Sequence, residues 1–192
     1  KLVLTPGAEP FVPDIQGINN PKIHTLRMLK DGNAIKEIVK NTNAKNAVVI
    51  GGGFIGVEMA ENFKHLKDVN TTLVELSSHI LPPVDKETAA FAQNEMRKHG
   101  VNLVLSDGVK AFDNDYVVLN SGRKLPYDIA VLAIGVKPQT SLARECGLVI
   151  GKSGGVKVNE HMQTSDPDIY AGGDSVEVTD FVTNADVLIP LA

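Results

Sequence analysis

Apolar residues gather in short unbroken runs, among them Ala47-Val48-Val49-Ile50 and Ile129 to Ile134, each of the length and composition of a buried strand in a parallel sheet. Between such runs the spacing changes to that of helices. Ile55, Met59, Phe63 and Leu66 share one helical face, as do Ile35, Ile38 and Val39 behind a predicted N-cap at Asp31. Asp85 is the predicted cap of a third helix, with Ala89, Ala92 and Met96 on its buried side and Gly100 just past its end. Thr71 to Val74 and Val101 to Leu105 read as two more strands following the first. The rhythm then shortens: Val109 to Phe112, Tyr116 to Leu119 and Arg123 to Leu125 are broken by Asn114-Asp115 and Ser121-Gly122, the pattern of an antiparallel meander. Lys1 to Leu4 predicts a strand, Phe11 to Pro21 a linker, Ser141 to Glu145 a short helix, Gly151 to Gly155 a glycine-rich connection and Ile169 to Ala171 a last strand.

One stretch carries chemistry. The run ending at Ile50 passes directly into Gly51-x-Gly53-x-x-Gly56, then a helix, then a strand ending on Glu75. Strand, glycine turn, helix, strand and acid together make a dinucleotide-binding fingerprint, whereas the glycines alone would be weak evidence. Gly51 turns the chain off the strand, Gly53 leaves room for a pyrophosphate, and Gly56 lets the helix lie close to the sheet. The helix start supplies unpaired N–H groups and the positive end of its dipole. Glu75 stands where a carboxylate accepts hydrogen bonds from the adenosine ribose. A 2′-phosphate there meets like charge, at most about 4 kcal/mol at 4 Å and a dielectric near 20, which favours NAD over NADP. The expected fold is therefore α/β: a Rossmann-like, three-layer NAD-binding domain with a parallel sheet and an antiparallel β-meander.

Composition adds limits. The chain has 192 residues, and its net charge of -4 gives no reason to expect nucleic acid or anionic membrane as a partner. No apolar run approaches the length of a membrane span. The single cysteine, Cys146, excludes an internal disulfide framework and makes a reducing cytoplasm the expected location. It lies in RECGL without a partner and reads as a small buried hydrophobe. No metal-ligand cluster is evident. The chain opens at Lys1 in a strand-like run and closes in the apolar LIPLA, so both ends look cut from something longer.

Four ordered segments resemble the FAD-dependent pyridine nucleotide-disulfide oxidoreductases, most nearly the coenzyme A-disulfide reductase and NADH oxidase/peroxidase branch. They are TPGAEP at Thr5 to Pro10, GGGFIGVEMAE at Gly51 to Glu61, AIGVKPQT at Ala133 to Thr140, and TSDPDIYAGGDSVEV at Thr164 to Val178. In the first, Pro6 replaces the family's small residue. The resemblance implies three segments: residues 1–20 as the end of a first FAD-domain segment and linker, 21–150 as an NAD(H)-binding domain, and 151–192 as the start of a second FAD-domain segment. The FAD fingerprint, the redox cysteine and a dimerisation domain would lie outside this sequence, so the piece itself is expected not to turn over and no catalytic residue is assigned within it.

By the same resemblance Gly51, Gly53, Phe54, Ile55, Gly56, Glu58, Glu75, Ile134, Gly135 and Val136 serve NADH, with Phe54 as a gate over the nicotinamide and Glu58 near its carboxamide. Gly7, Gly173 and Asp174 would touch FAD in the longer protein. The implied partners are these cofactors, the remaining FAD and dimerisation domains and, in the parent, a second subunit. Plainer readings stand beside these. Phe54 can be packing at a helix start, Glu58 a solvated first-turn acid, His79 a surface residue, and Asp174 a turn acid. A free-standing dehydrogenase of the short-chain type needs Tyr-x-x-x-Lys, which Tyr116, Tyr127 and Tyr170 lack. A methyltransferase leaves the meander and the end segments unexplained. A non-catalytic NADH-sensing module remains open, because fold does not settle function.

Overall fold

A computed structural model describes residues 1–66 and 69–189; the closing LIPLA run lies partly outside them. The chain divides into two compact units, one combining Lys1–Glu9 with Val136 onward, the other formed by Pro10–Gly135. Strands β1 (Leu2–Leu4) and β2 (Ala8–Pro10) open the chain.

The second unit contains β3 (Ile23–Thr25), α1 (Leu29–Thr42), β4 (Asn46–Ile50), α2 (Phe54–His65), β5 (Asn70–Val74), α3 (Lys86–Lys98) and β6 (Asn102–Val104). After them come β7 (Val109–Phe112), β8 (Tyr116–Leu119), β9 (Lys124–Pro126) and β10 (Ile129–Leu132). Five of these strands form one parallel sheet in the order β3-β10-β4-β5-β6. Because side chains alternate across a strand, β4 feeds two cores at once. Ala47 and Val49 join Ile35, Val39, Met59, Phe63 and Met96 on the helical side. Val48 and Ile50 join Phe112, Val117, Leu119, Leu125 and Tyr127 from the antiparallel β7-β8-β9 meander on the other. Helices, sheet and meander are the three layers expected.

Some local expectations need correction. Met28, not Asp31, is the N-cap of α1; Asp31 sits at the third helical position, where its carboxylate accepts the N–H groups of Met28 (2.8 Å) and Arg27 (3.1 Å). The buried face of α2 is Gly56, Met59, Ala60 and Phe63, with Ile55 exposed. The stretch from Phe11 to Pro21 has little regular structure, yet Ile15 and Ile18 pack against the meander core and the Phe112 N–H bonds the Gln16 carbonyl at 2.8 Å. Asp85 and Gly100 occupy their expected places at the two ends of α3.

The first unit adds β11 (Val136–Pro138), α4 (Ser141–Glu145), β12 (Val156–Lys157), β13 (Ile169–Ala171), β14 (Val176–Thr179) and β15 (Asp186–Val187). β1 pairs in parallel with β13, and β14 lies between β12 and β15. Leu4, Ala143, Leu148, Val156, Ala171 and Val176 make its core. Buried Glu177 accepts hydrogen bonds from the backbone N–H (2.5 Å) and the hydroxyl of Ser153, which fixes the glycine-rich turn around it. The unit boundaries fall at 9/10 and 135/136, whereas the sequence reading places them at 20 and 150. The reason is local: the Gln139 N–H bonds the Gly7 carbonyl at 2.9 Å, Lys137 pairs with Glu9 at 2.9 Å, and Ala143 and Leu148 enter the first unit's core. Cys146 is also corrected. It is exposed, because the five-residue α4 buries only Ala143 and the cysteine follows at its C-cap.

Candidate functional site

In an open parallel sheet the crevice lies beyond the carboxyl ends of the strands, where the chain reverses its direction of travel across the sheet. Here that point is between β4 and β10. From β4 the chain moves outward to β5 and β6, and β10 returns on the other side. The two loops meet closely. The Ala133 N–H bonds the Ile50 carbonyl at 2.7 Å, and a Cβ on Gly51 (φ +103°) would stand 2.2 Å from the Ala133 carbonyl oxygen. Only glycine fits that turn.

Gly56 is equally constrained. A Cβ on it would lie 1.9 Å from the Gly51 carbonyl oxygen, so the first turn of α2 rests directly on the loop it leaves. Gly53 is the opposite case: nothing lies within 4 Å of where its Cβ would be. The first intrahelical bond of α2 runs from the Val57 N–H to the Gly53 carbonyl (3.0 Å), so the N–H groups of Phe54, Ile55 and Gly56 have no carbonyl a turn earlier to bond. Bare main chain, donor groups and a positive dipole end meet at one place, an arrangement suited to a phosphate.

A cleft of about 580 Å³ opens there, lined among others by Gly51, Gly53, Phe54, Glu75, Ile134 and Gly135. Glu75 is 7% exposed, and its carboxylate is oriented before any ligand arrives: Oε2 accepts the Gly52 N–H at 2.6 Å and Oε1 the Ser77 N–H at 2.7 Å. An ionised carboxylate accepts up to about four hydrogen bonds, so capacity remains for a ribose hydroxyl. Phe54, 45% exposed, stands at the first position of α2 and borders the same space.

Six of the ten residues expected at a nicotinamide coenzyme therefore converge. Gly56 acts from beneath as a packing contact. Ile55 and Glu58 are exposed on α2 and do not line the cleft, and Val136 belongs to the first unit. His79 does not line it either; half-buried, its Nδ1 lies 2.9 Å from the Ile80 carbonyl oxygen. In the first unit, Gly7 and Gly173 have φ of +72° and +73°, and Oδ1 of Asp174 is buried with no hydrogen-bond partner among the described residues. No described atom lies within 4 Å of where a Cβ on Gly173 would be. A buried lone acceptor beside bare main chain suits a hydroxyl-bearing ligand.

Several lining residues were not found by sequence reasoning: Leu76, Ser77, Pro82, Pro83, Asp107 and Asn120. Leu76, 71% exposed, follows Glu75 directly. Asp107 and Asn120 sit in turns that the strand pattern treats as mere connections. Their one signal was position, in the turns that follow β6 and β8. Among the described residues no group of His, Cys, Asp and Glu forms a metal site, and no helix is long and apolar enough to cross a membrane.

The pyridine nucleotide-disulphide oxidoreductase family matches residues 1–186. The chain belongs to this family. An NADH oxidase of Methanocaldococcus jannaschii is 37% identical over 98% of this chain and 43% of its own length. Among solved structures, reduced Bacillus anthracis CoADR-RHD superposes with a TM-score of 0.94 at 47% identity, over 99% of this chain and 34% of that one. The water-forming NADH oxidase of Lactobacillus brevis, solved bound to NADH, gives 0.89 at 30% identity, over 100% and 42%. The chain thus spans less than half the length of these family members.

Proposed function

We propose that the Pro10–Gly135 unit is the NADH-binding portion of a flavoprotein oxidoreductase, and that the Lys1–Glu9 and Val136-onward segments contribute to its FAD-binding portion. The observation that carries this reading is Gly53, whose open side faces the cleft beside the first-turn N–H groups of α2, with Glu75 already oriented at the next strand end. The diphosphate would rest on those N–H groups and the ribose on Glu75. Phe54, which lines the same cleft, would cover or uncover the nicotinamide end. Asp174 and Gly173 are suited to FAD. When bound, the two cofactors supply hydride and electron transfer; the protein supplies position and electrostatics. The shorter span relative to the family's members supports the view that this chain alone does not turn over, and it is expected to purify without flavin colour.

Calorimetric titration tests the reading. NADH is expected to bind saturably and more tightly than NADPH. Glu75→Arg is expected to weaken NADH by about tenfold, the loss of a charged hydrogen bond, and to improve NADPH. Equal affinity for the two coenzymes, unchanged by Glu75→Arg, overturns it.

A further inference from the structure

Among the described residues the cleft contains two acids and no base. Glu75 and Asp107 both line it, and no described lysine, arginine or histidine joins them. A diphosphate can rest on a helix N-terminus alone, whereas a 2′-phosphate on the ribose calls for a nearby cation, and here two carboxylates stand in the lining instead. We infer that Asp107 is a second coenzyme-specificity residue, acting with Glu75 to repel a phosphate on the adenosine ribose. This deepens the NADH reading above and rests on it.

Geometry ties the two acids together. The Asp107 N–H bonds the carbonyl of Glu75 itself at 3.2 Å, and the Ser106 N–H bonds the Ser77 carbonyl at 2.9 Å. The loop after β6 is therefore held against the loop after β5. The Asp107 side chain is fixed from the meander, where it accepts the Ser121 hydroxyl at 2.6 Å and the Ser121 N–H at 3.2 Å. Those donors orient the carboxylate without neutralising it, and the Ser121 hydroxyl, outweighing a smaller desolvation effect, holds its pKa below the usual range. Among the described residues no ion pair reaches either acid. A fixed negative charge acts on a second anion without touching it, at a range set by salt. An acid that only braced the Ser121 turn would leave coenzyme choice unchanged when its charge was removed.

Asp107→Asn removes the charge and keeps an oxygen for Ser121. The probes are 5′-AMP and 2′,5′-ADP, with NADH and NADPH, titrated into the whole chain at low and high ionic strength. Asp107→Asn is expected to tighten 2′,5′-ADP and NADPH by about fivefold more than 5′-AMP and NADH at low salt, a difference that shrinks as salt rises. Asp107→Glu keeps the charge and is expected to match the native preference. Asp107→Thr serves as a second neutral variant should the amide fail to fold. An unaltered NADPH-to-NADH ratio in a folded neutral variant, or a loss of NADH affinity there, overturns the inference while the coenzyme reading survives. Failure of the native chain to bind NADH or 5′-AMP removes the coenzyme reading and this inference with it.

Discussion

Gly53 and Gly56, three positions apart, answer to different demands. A side chain at Gly53 enters open space with φ at −71°, ordinary backbone for any residue. A side chain at Gly56 enters the carbonyl of Gly51 at 1.9 Å. Gly53→Val is therefore expected to unfold at nearly the native temperature while losing NADH affinity by about tenfold or more. Gly56→Ala is expected to cost about 2–3 kcal/mol of stability through overpacking, measured by denaturant unfolding. At this scale the sequence was informative where spacing is rigid. The three glycines and Glu75 are fixed by the strand–turn–helix–strand unit, so their places could be read directly. Asp107 could not, because its contribution depends on which strand ends lie side by side, and sheet order is not written in local spacing. Ile55 and Glu58 owe their assignment to a motif match; both side chains are exposed on α2, outside the lining of the cleft.

Among the elements, β4 is the one on which the others depend, and its start is held by a side chain from the far end of the unit. Asp128, just before β10, accepts the N–H groups of Lys45 (2.8 Å) and Asn46 (2.9 Å) through Oδ2. Desolvation alone would raise its pKa; the hydrogen bonds from Lys45 and Asn46 outweigh that and hold it below the ordinary value. A depressed carboxylate contributes stability that is present above its unfolded pKa and disappears as pH falls through the folded one. Asp128→Asn is thus expected to lower stability at pH 7 by about 1 kcal/mol, discounted for its exposed position. The difference from native is expected to begin shrinking as pH falls through about 4 and to vanish only below the lowered pKa of the folded state, as followed by thermal unfolding across pH. Long buried strands and amphipathic helices were legible because many residues repeat one period. β3, β11, β12 and β15 have two or three residues each, too few for a period to appear; they exist because a neighbouring strand offers them partners.

For the molecule as a whole, the α/β class and the helix–sheet–meander layering followed from the sequence, because strand runs and helical faces alternate in the order the layers require. The boundaries of the compact units, at 9/10 and 135/136, are not marked by local sequence. Glycines and prolines mark turns, and a turn inside a unit looks like a turn between units. Only pairings such as Gly7 with Gln139 and Glu9 with Lys137 separate the two cases. The Phe11 N–H donates to the Gly135 carbonyl at 2.9 Å, joining the first and last turns of the Pro10–Gly135 unit. A segment whose two ends are clasped in this way behaves as a cassette. Residues 10–135 expressed alone are expected to melt in one cooperative transition and to retain the NADH affinity of the whole chain. Grafted at the same two joints into another member of the family, the cassette would carry its coenzyme preference into a new host.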